Sequence, residues 1–139
     1  MKKNIQLYMK KTVFLALNLL LAVFITRFFI MEPGRISGQS MEPTFFDGEV
    51  FLVNKLTLLF RAPRKNDIIQ IINPVNNKEL LIKRVIGLPN EEVNIGEQNI
   101  FVPDDSYFVV GDNAAVSYDS LDFGPVNRRL IIGLVNKMW

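Results

Sequence analysis

"ELLIKRVIG", residues 79–87, is an apolar run broken only near its centre, by Lys83 and Arg84. At a two-residue period Leu81, Lys83 and Val85 share one face, and Ile82, Arg84 and Ile86 the other. Each face is apolar apart from one cation. The stretch therefore predicts a β-strand covered on both sides, with at least one cation held against apolar surface.

Similar pieces lie to either side of it. "EVFLVNK" (49–55), "DIIQIIN" (67–73), "EEVNI" (91–95), "QNIFV" (98–102), "SYFVVG" (106–111) and "LIIGLVNKM" (130–138) are short and rich in Val, Ile and Phe. Turn formers separate them at Pro63, Asn73-Pro74, Asn76-Asn77, Pro89-Asn90, Gly96 and Pro103-Asp104. Seven short strands predict an all-β barrel or folded sheet over residues 32–139. No stretch after residue 31 predicts an amphipathic helix. "LTLLFRAP" (56–63) and Phe45-Phe46 are apolar without alternation, so they belong either to the core or to loops that dip into a membrane surface.

The N-terminal part differs. Lys2, Lys3, Lys10 and Lys11 precede "TVFLALNLLLAVFITRFFIM", residues 12–31. A helix of that length reaches about 30 Å, one hydrocarbon thickness. Arg27 lies near its far end and can snorkel to the interface. A cleavable signal peptide shares the basic start, but this run is long and ends in Phe28-Phe29-Ile30-Met31-Glu32-Pro33, without a small-x-small cleavage site. The expected organisation is thus a cytoplasmic basic N-terminus (1–11), a transmembrane anchor (12–31) and an all-β domain (32–139). The positive-inside rule places that domain on the outer, trans face of the cell membrane.

Composition narrows the chemistry. The chain has 139 residues, 49% of them apolar, with net charge +2 and no histidine or cysteine. This excludes disulfides, a thiol nucleophile and a serine–histidine–aspartate triad, and it leaves no donor set for catalytic zinc. Nothing in the charge pattern suggests nucleic-acid binding, and no cofactor motif is present.

Against that background "ISGQSMEPTF" (36–45) raises a question. Ser40 follows a flexible Gly38-Gln39 and precedes Pro43, a setting suited to a nucleophile, but it needs a base. Lys83 is a candidate. Lowering a lysine from about 10.4 to about 7.5 takes roughly 4 kcal/mol, which burial in an apolar strand can supply. A solvated strand lysine would satisfy the pattern equally well. "GDNAAVSYDSLDFGPVN" (111–127) is a long polar loop, of the kind that is functional or disordered. Counting from Asp112 puts Ala114 and Val116 where calcium ligands would fall, which disfavours a calcium loop. Ser117 and Asp119 could instead position an amine, or simply form a tight polar turn.

Together these pieces resemble type I signal peptidase, a membrane-anchored serine protease family. "SGQSMEPT" (37–44) is similar to its nucleophile box, "RKNDIIQI" (64–71) to the following box, "IKRVIGLP" (82–89) to its lysine box and "GDNAAVSYDSLDFGPV" (111–126) to its last. The resemblance implies a mainly β fold, with one N-terminal transmembrane helix before the catalytic domain. It implies Ser40 as nucleophile and oxyanion donor through its N–H, Lys83 as general base, Ser117 hydrogen-bonded to that lysine, and Asp119 supporting the loop. The implied partners are membrane lipid and the signal peptides of exported preproteins, cut after Ala-X-Ala. Three departures stand out. Gly38 carries no hydroxyl two residues before the serine. Ala114 and Leu121 replace the arginines usual after "GDN" and "DS", leaving Arg128 or Arg129 as possible partners for Asp119. Only Pro89 to Val110 separates the last two boxes. A dedicated single-substrate peptidase and a non-catalytic anchored β-domain are the alternative readings.

Overall fold

The structure, a computed structural model, describes residues 2–138; the side chains of residues 2–5, 7 and 26–30 lie outside the description, and with them the expectation for Arg27. Two compact units, residues 1–31 and 32–139, make up the chain.

The first unit is helix α1, Lys2–Ile30, which begins well before the apolar run itself. Within it Tyr8–Ile25 is long and apolar enough to cross a membrane. Its polar interruptions are absorbed by the helix's own backbone. Thr12 Oγ1 donates to the Tyr8 and Met9 carbonyls, and the Asn18 amide donates to Phe14 O. Neither side chain therefore presents an unmet polar group to an apolar surrounding.

The second unit is mainly β. Its strands are β1 (Met31–Arg35), β2 (Val50–Asn54), β3 (Ile68–Ile72), β4 (Leu80–Gly87), β5 (Glu92–Ile95), β6 (Gln98–Phe101), β7 (Ser106–Val110), β8 (Val126–Asn127) and β9 (Ile131–Lys137). Seven of them form one sheet in the order β1-β2-β9-β3-β4-β7-β8, while β5 and β6 pair as a separate hairpin. The seven expected strands are all present to within two residues at each end.

Besides a 3-10 turn at Arg128–Leu130, four elements were not expected. β1 contains Pro33 and Gly34, residues that weaken strands, and is tolerated because it lies at the sheet's edge. β8 has two residues, too few to show a period. Two single turns of helix, α2 (Thr57–Phe60) and α3 (Ser120–Phe123), occupy segments too short for a helical stripe. α2 leaves Leu59 and Phe60 exposed, whereas Phe45 is buried in the core.

The sheet is apolar on both faces because both are covered, which explains the nearly unbroken hydrophobic runs. Ile69, Ile71, Val85, Tyr107 and Val109 pack together on one side. On the other, Ile36, Met41, Phe45, Phe51, Val53 and Val135 form a second cluster. Phe108 packs with Val93 and Val102 beneath the β5–β6 hairpin. The second cluster fixes the turn that bears Ser40, since Met41 and Phe45 bury their side chains in it. Each such burial stabilises the turn by roughly 1.5–3 kcal/mol.

Candidate active site

Lys83 occupies the middle of β4 and is 1% exposed. Its Cα pairs with Ile69 of β3, and Val85, two residues on, lies in the apolar cluster. Burial pulls the Lys83 pKa below the ordinary lysine range, against the opposing charges of Asp119, Asp122 and Asp112. Its ammonium makes one side-chain hydrogen bond, 3.0 Å to Ser117 Oγ.

That hydroxyl is oriented from behind. Ser117 Oγ donates to Asp119 Oδ2, and it accepts from the Gly111 N–H at 3.1 Å. With its hydrogen committed to the carboxylate, Ser117 offers only a lone pair to Lys83. One N–H of the amine must therefore point at Ser117, which frees the amine's own lone pair to face elsewhere.

Asp119 is 2% exposed, and its carboxylate is satisfied locally. It accepts from Ser117 Oγ and from the N–H groups of Gly111 (2.9 Å) and Leu121 (3.1 Å). It also N-caps α3, with Asp122 returning a carboxylate to the Asp119 N–H in a capping box. Neither Arg128 nor Arg129 pairs with it: among the described residues Asp119 has no arginine partner, and backbone donors do that work. Leu121, at one of the two positions where the family carries arginine, is 53% exposed and turned outward.

Ser40 sits on the turn after Gly38, whose φ of +95° suits glycine. Asp47 Oδ1 accepts from the Gly38 N–H at 2.8 Å. The Ser40 carbonyl accepts from the Asn113 N–H at 3.0 Å, so the loop that orders Lys83 also grips the serine's backbone. Gly111 permits that approach. A Cβ there would lie 2.2 Å from Ser117 Oγ and 2.5 Å from the Ser40 carbonyl oxygen. Among the described residues neither Ser40 Oγ nor the Ser40 N–H is engaged by a protein group.

Ser40 and Lys83 line two clefts in common. One, of about 300 Å³, runs between residues 32–37 and 80–83 over a floor that includes Phe51, Val53 and Gln70. The other, of about 520 Å³, is bounded by Gly38, Gln39, Asp47, Val116 and Tyr118. All four residues singled out in the sequence thus converge: Ser117 and Asp119 hold Lys83, and Lys83 shares its clefts with Ser40.

Two supporting residues escaped the sequence reading. Arg84, on the face opposite Lys83, donates to Asp112 through Nε (2.7 Å) and Nη2 (2.6 Å), and also reaches Thr44 Oγ1 and the Asn66 carbonyl. Burial pushes the Asp112 carboxyl up, but Arg84 and the Thr44 hydroxyl outweigh it and leave the group below the usual carboxylate range. The signal was the second cation of the strand, next to an aspartate that no calcium pattern accounted for.

Over residues 9–102 and 96–139 the chain matches the family model described as signal peptidase, peptidase S26. The chain belongs to this family. It is 30% identical to signal peptidase I V of Bacillus subtilis (strain 168), over 73% of this chain and 82% of that protein. It is 31% identical to a probable signal peptidase I-2 of Synechocystis, over 94% and 72%. A mitochondrial inner membrane protease subunit 2 of Danio rerio is 32% identical over 79% and 71%. A crystal structure of a signal peptidase I from Enterococcus faecalis is 27% identical, covering 53% of this chain and 97% of that one at a TM-score of 0.46. Signal peptidases are serine endopeptidases, and the N-terminal apolar helix α1 of this chain is consistent with membrane anchoring.

Proposed function

We propose that this signal peptidase removes signal peptides from exported preproteins after an Ala-X-Ala-like site, with Ser40 as nucleophile and Lys83 as general base. The observation that carries this is a lysine 1% exposed, held below its ordinary pKa, and lining the same clefts as Ser40. Neutral Lys83 accepts the Ser40 Oγ proton while Oγ bonds to the scissile carbonyl carbon. The Ser40 N–H stabilises the oxyanion that forms. On collapse the C–N bond breaks, and the Lys83 ammonium returns its proton to the leaving amine. Lys83 then takes a proton from water as the water attacks the ester, and gives it to Ser40 Oγ when the acid is released. Ser117 and Asp119 position the amine throughout. Residues 1–11 lie in the cytoplasm, residues 12–31 cross the membrane, and residues 32–139 work on the outer face, as the lysines ahead of the apolar run favour.

The experiment is cleavage of an Ala-X-Ala preprotein by the detergent-purified chain, with sequencing of the product's N-terminus. Wild type should cut after the second alanine, while folded Ser40→Ala and Lys83→Ala should not. Cleavage by either variant at wild-type rate would sink the assignment.

A further inference from the structure

Gln70 is the one polar residue of β3, in the sequence Ile68-Ile69-Gln70-Ile71-Ile72. Ile69 and Ile71 point into the apolar cluster that includes Val85, so by alternation Gln70 points to the other face, with Ile68. That face meets the floor of the cleft that Ser40 and Lys83 line. Gln70 is 8% exposed, yet its amide has no hydrogen-bond partner among the described residues. Its neighbours across the sheet cannot supply one: the facing residue on β4 is Ile82 and on β9 is Gly133. Among the described residues no side-chain nitrogen or oxygen that is sealed from solvent lacks a partner, so the Gln70 amide, which lines the cleft, opens onto it. Ile36, Phe51, Val53 and Ile82 line the cleft with it, alongside the polar Glu32, Arg35 and Ser37.

Resting on the peptidase reading above, we propose that Gln70 tunes the first position of the Ala-X-Ala-like site, the third residue before the scissile bond, so that a small hydrogen-bonding side chain (serine, threonine or asparagine) is favoured there. Residues 32–37 and 80–83 flank the cleft, so a substrate held between them is extended, and its first and third residues before the cut face the same way. The first sits at Ser40. The third, about 7 Å further along, reaches the part of the floor formed by Phe51, Val53 and Gln70. A side chain entering there displaces water from the amide. Valine covers the amide without pairing with it, whereas a hydroxyl or carboxamide pairs with its donors and acceptor. A site built to hydrogen-bond its substrate discriminates against analogues that lack the group, here by about ten- to a hundredfold.

The test has two arms, both with the full chain in detergent. In the first, kcat/KM is measured on preproteins that differ only at the third position before the cut, bearing Ser, Thr, Asn, Ala or Val. In the second, the corresponding labelled peptides are titrated onto Ser40→Ala, which reads binding without turnover. Gln70→Met, of similar length, and Gln70→Val, of strand-forming shape, are compared in each arm. The expected result is a preference of tenfold or more for Ser, Thr or Asn over Val, abolished or inverted in both variants. Equal handling of all five residues, a preference for Ala or Val, or a polar preference that survives Gln70→Met overturns the proposal. If no preprotein is cut, the peptidase reading falls and the binding arm alone decides Gln70; absence of binding to any of the peptides overturns both.

Discussion

Replacing Asp119 by asparagine removes a charge and keeps the shape. In the structure Asp119 heads the three carboxylates that oppose the burial of the Lys83 ammonium. Hydrogen bonds of 3.0 and 2.5 Å laid end to end, Lys83 to Ser117 to Asp119, put at most 5.5 Å between amine and carboxylate. At an effective dielectric of about 20, two unit charges that far apart interact by about 3 kcal/mol, and more strongly if closer. The sign follows from the base needing to be neutral. Asp119 favours the charged amine, so removing it lowers the Lys83 pKa further. The acid limb of kcat/KM, which in wild type rises with pH as Lys83 loses its proton, should move to lower pH in Asp119→Asn. The plateau should fall as well, because the asparagine NH₂ cannot accept from every donor that the carboxylate served. Asparagine still caps α3, but its NH₂ facing the Gly111 N–H and Ser117 hydroxyl should cost about 1–3 kcal/mol of stability, read as a lower Tm. The assay is a pH profile of kcat/KM on one preprotein, with Tm confirming that the variant is folded at each pH. An acid limb that stays in place or moves up would refute the electrostatic argument, whatever happens to the plateau.

Lys83→Met should abolish cleavage while leaving the fold at least as stable at neutral pH. Because the folded-state pKa is depressed, the unfolded chain binds more protons between that value and about 10.4, so wild-type stability rises with pH across this window by about 1.4 kcal/mol per unit of depression. Urea melts at several pH values should show that slope in wild type and lose it in Lys83→Met. Arg84→Lys exchanges a two-pronged contact with Asp112 for a point charge; a loss of about 1–3 kcal/mol in urea melts is expected, with a lower kcat because the Asp112-Asn113 segment holds the Ser40 carbonyl. Gly111→Ala places a methyl within 2.5 Å of both Ser117 Oγ and the Ser40 carbonyl oxygen, and cleavage should be lost even where circular dichroism shows a folded sheet.

The long strands were legible because their hydrophobic runs are too short for helices and are bounded by turn residues. β1 was not, since Pro33 and Gly34 argue against a strand and only its edge position admits them. Periodicity showed two cations on opposite faces of "LLIKRVIG" but could not say which was buried. Val85 and Ile69 in the core, and Asp112 waiting on the other side, settle that Lys83 is the buried one. For Asp119 the sequence directed attention to distant arginines. The capping arrangement that actually satisfies it uses backbone N–H groups, which no residue pattern displays. Gln70 was visible as a polar letter in an apolar word, but its meaning depends on which strands face it.

The adjacency of Lys83 and Arg84 makes the register of β4 a kind of reading frame for catalysis. Both residues are held by the same loop, Lys83 through Ser117 and Arg84 through Asp112, from opposite faces of one strand. A slip of one residue against β3 and β7 would turn every side chain of β4 to the other face. In one direction it would carry into the position proposed for the base a guanidinium that stays protonated at any physiological pH. Such a protein would retain its composition, its strand and its positive charge beside the serine, and would have nothing able to accept a proton.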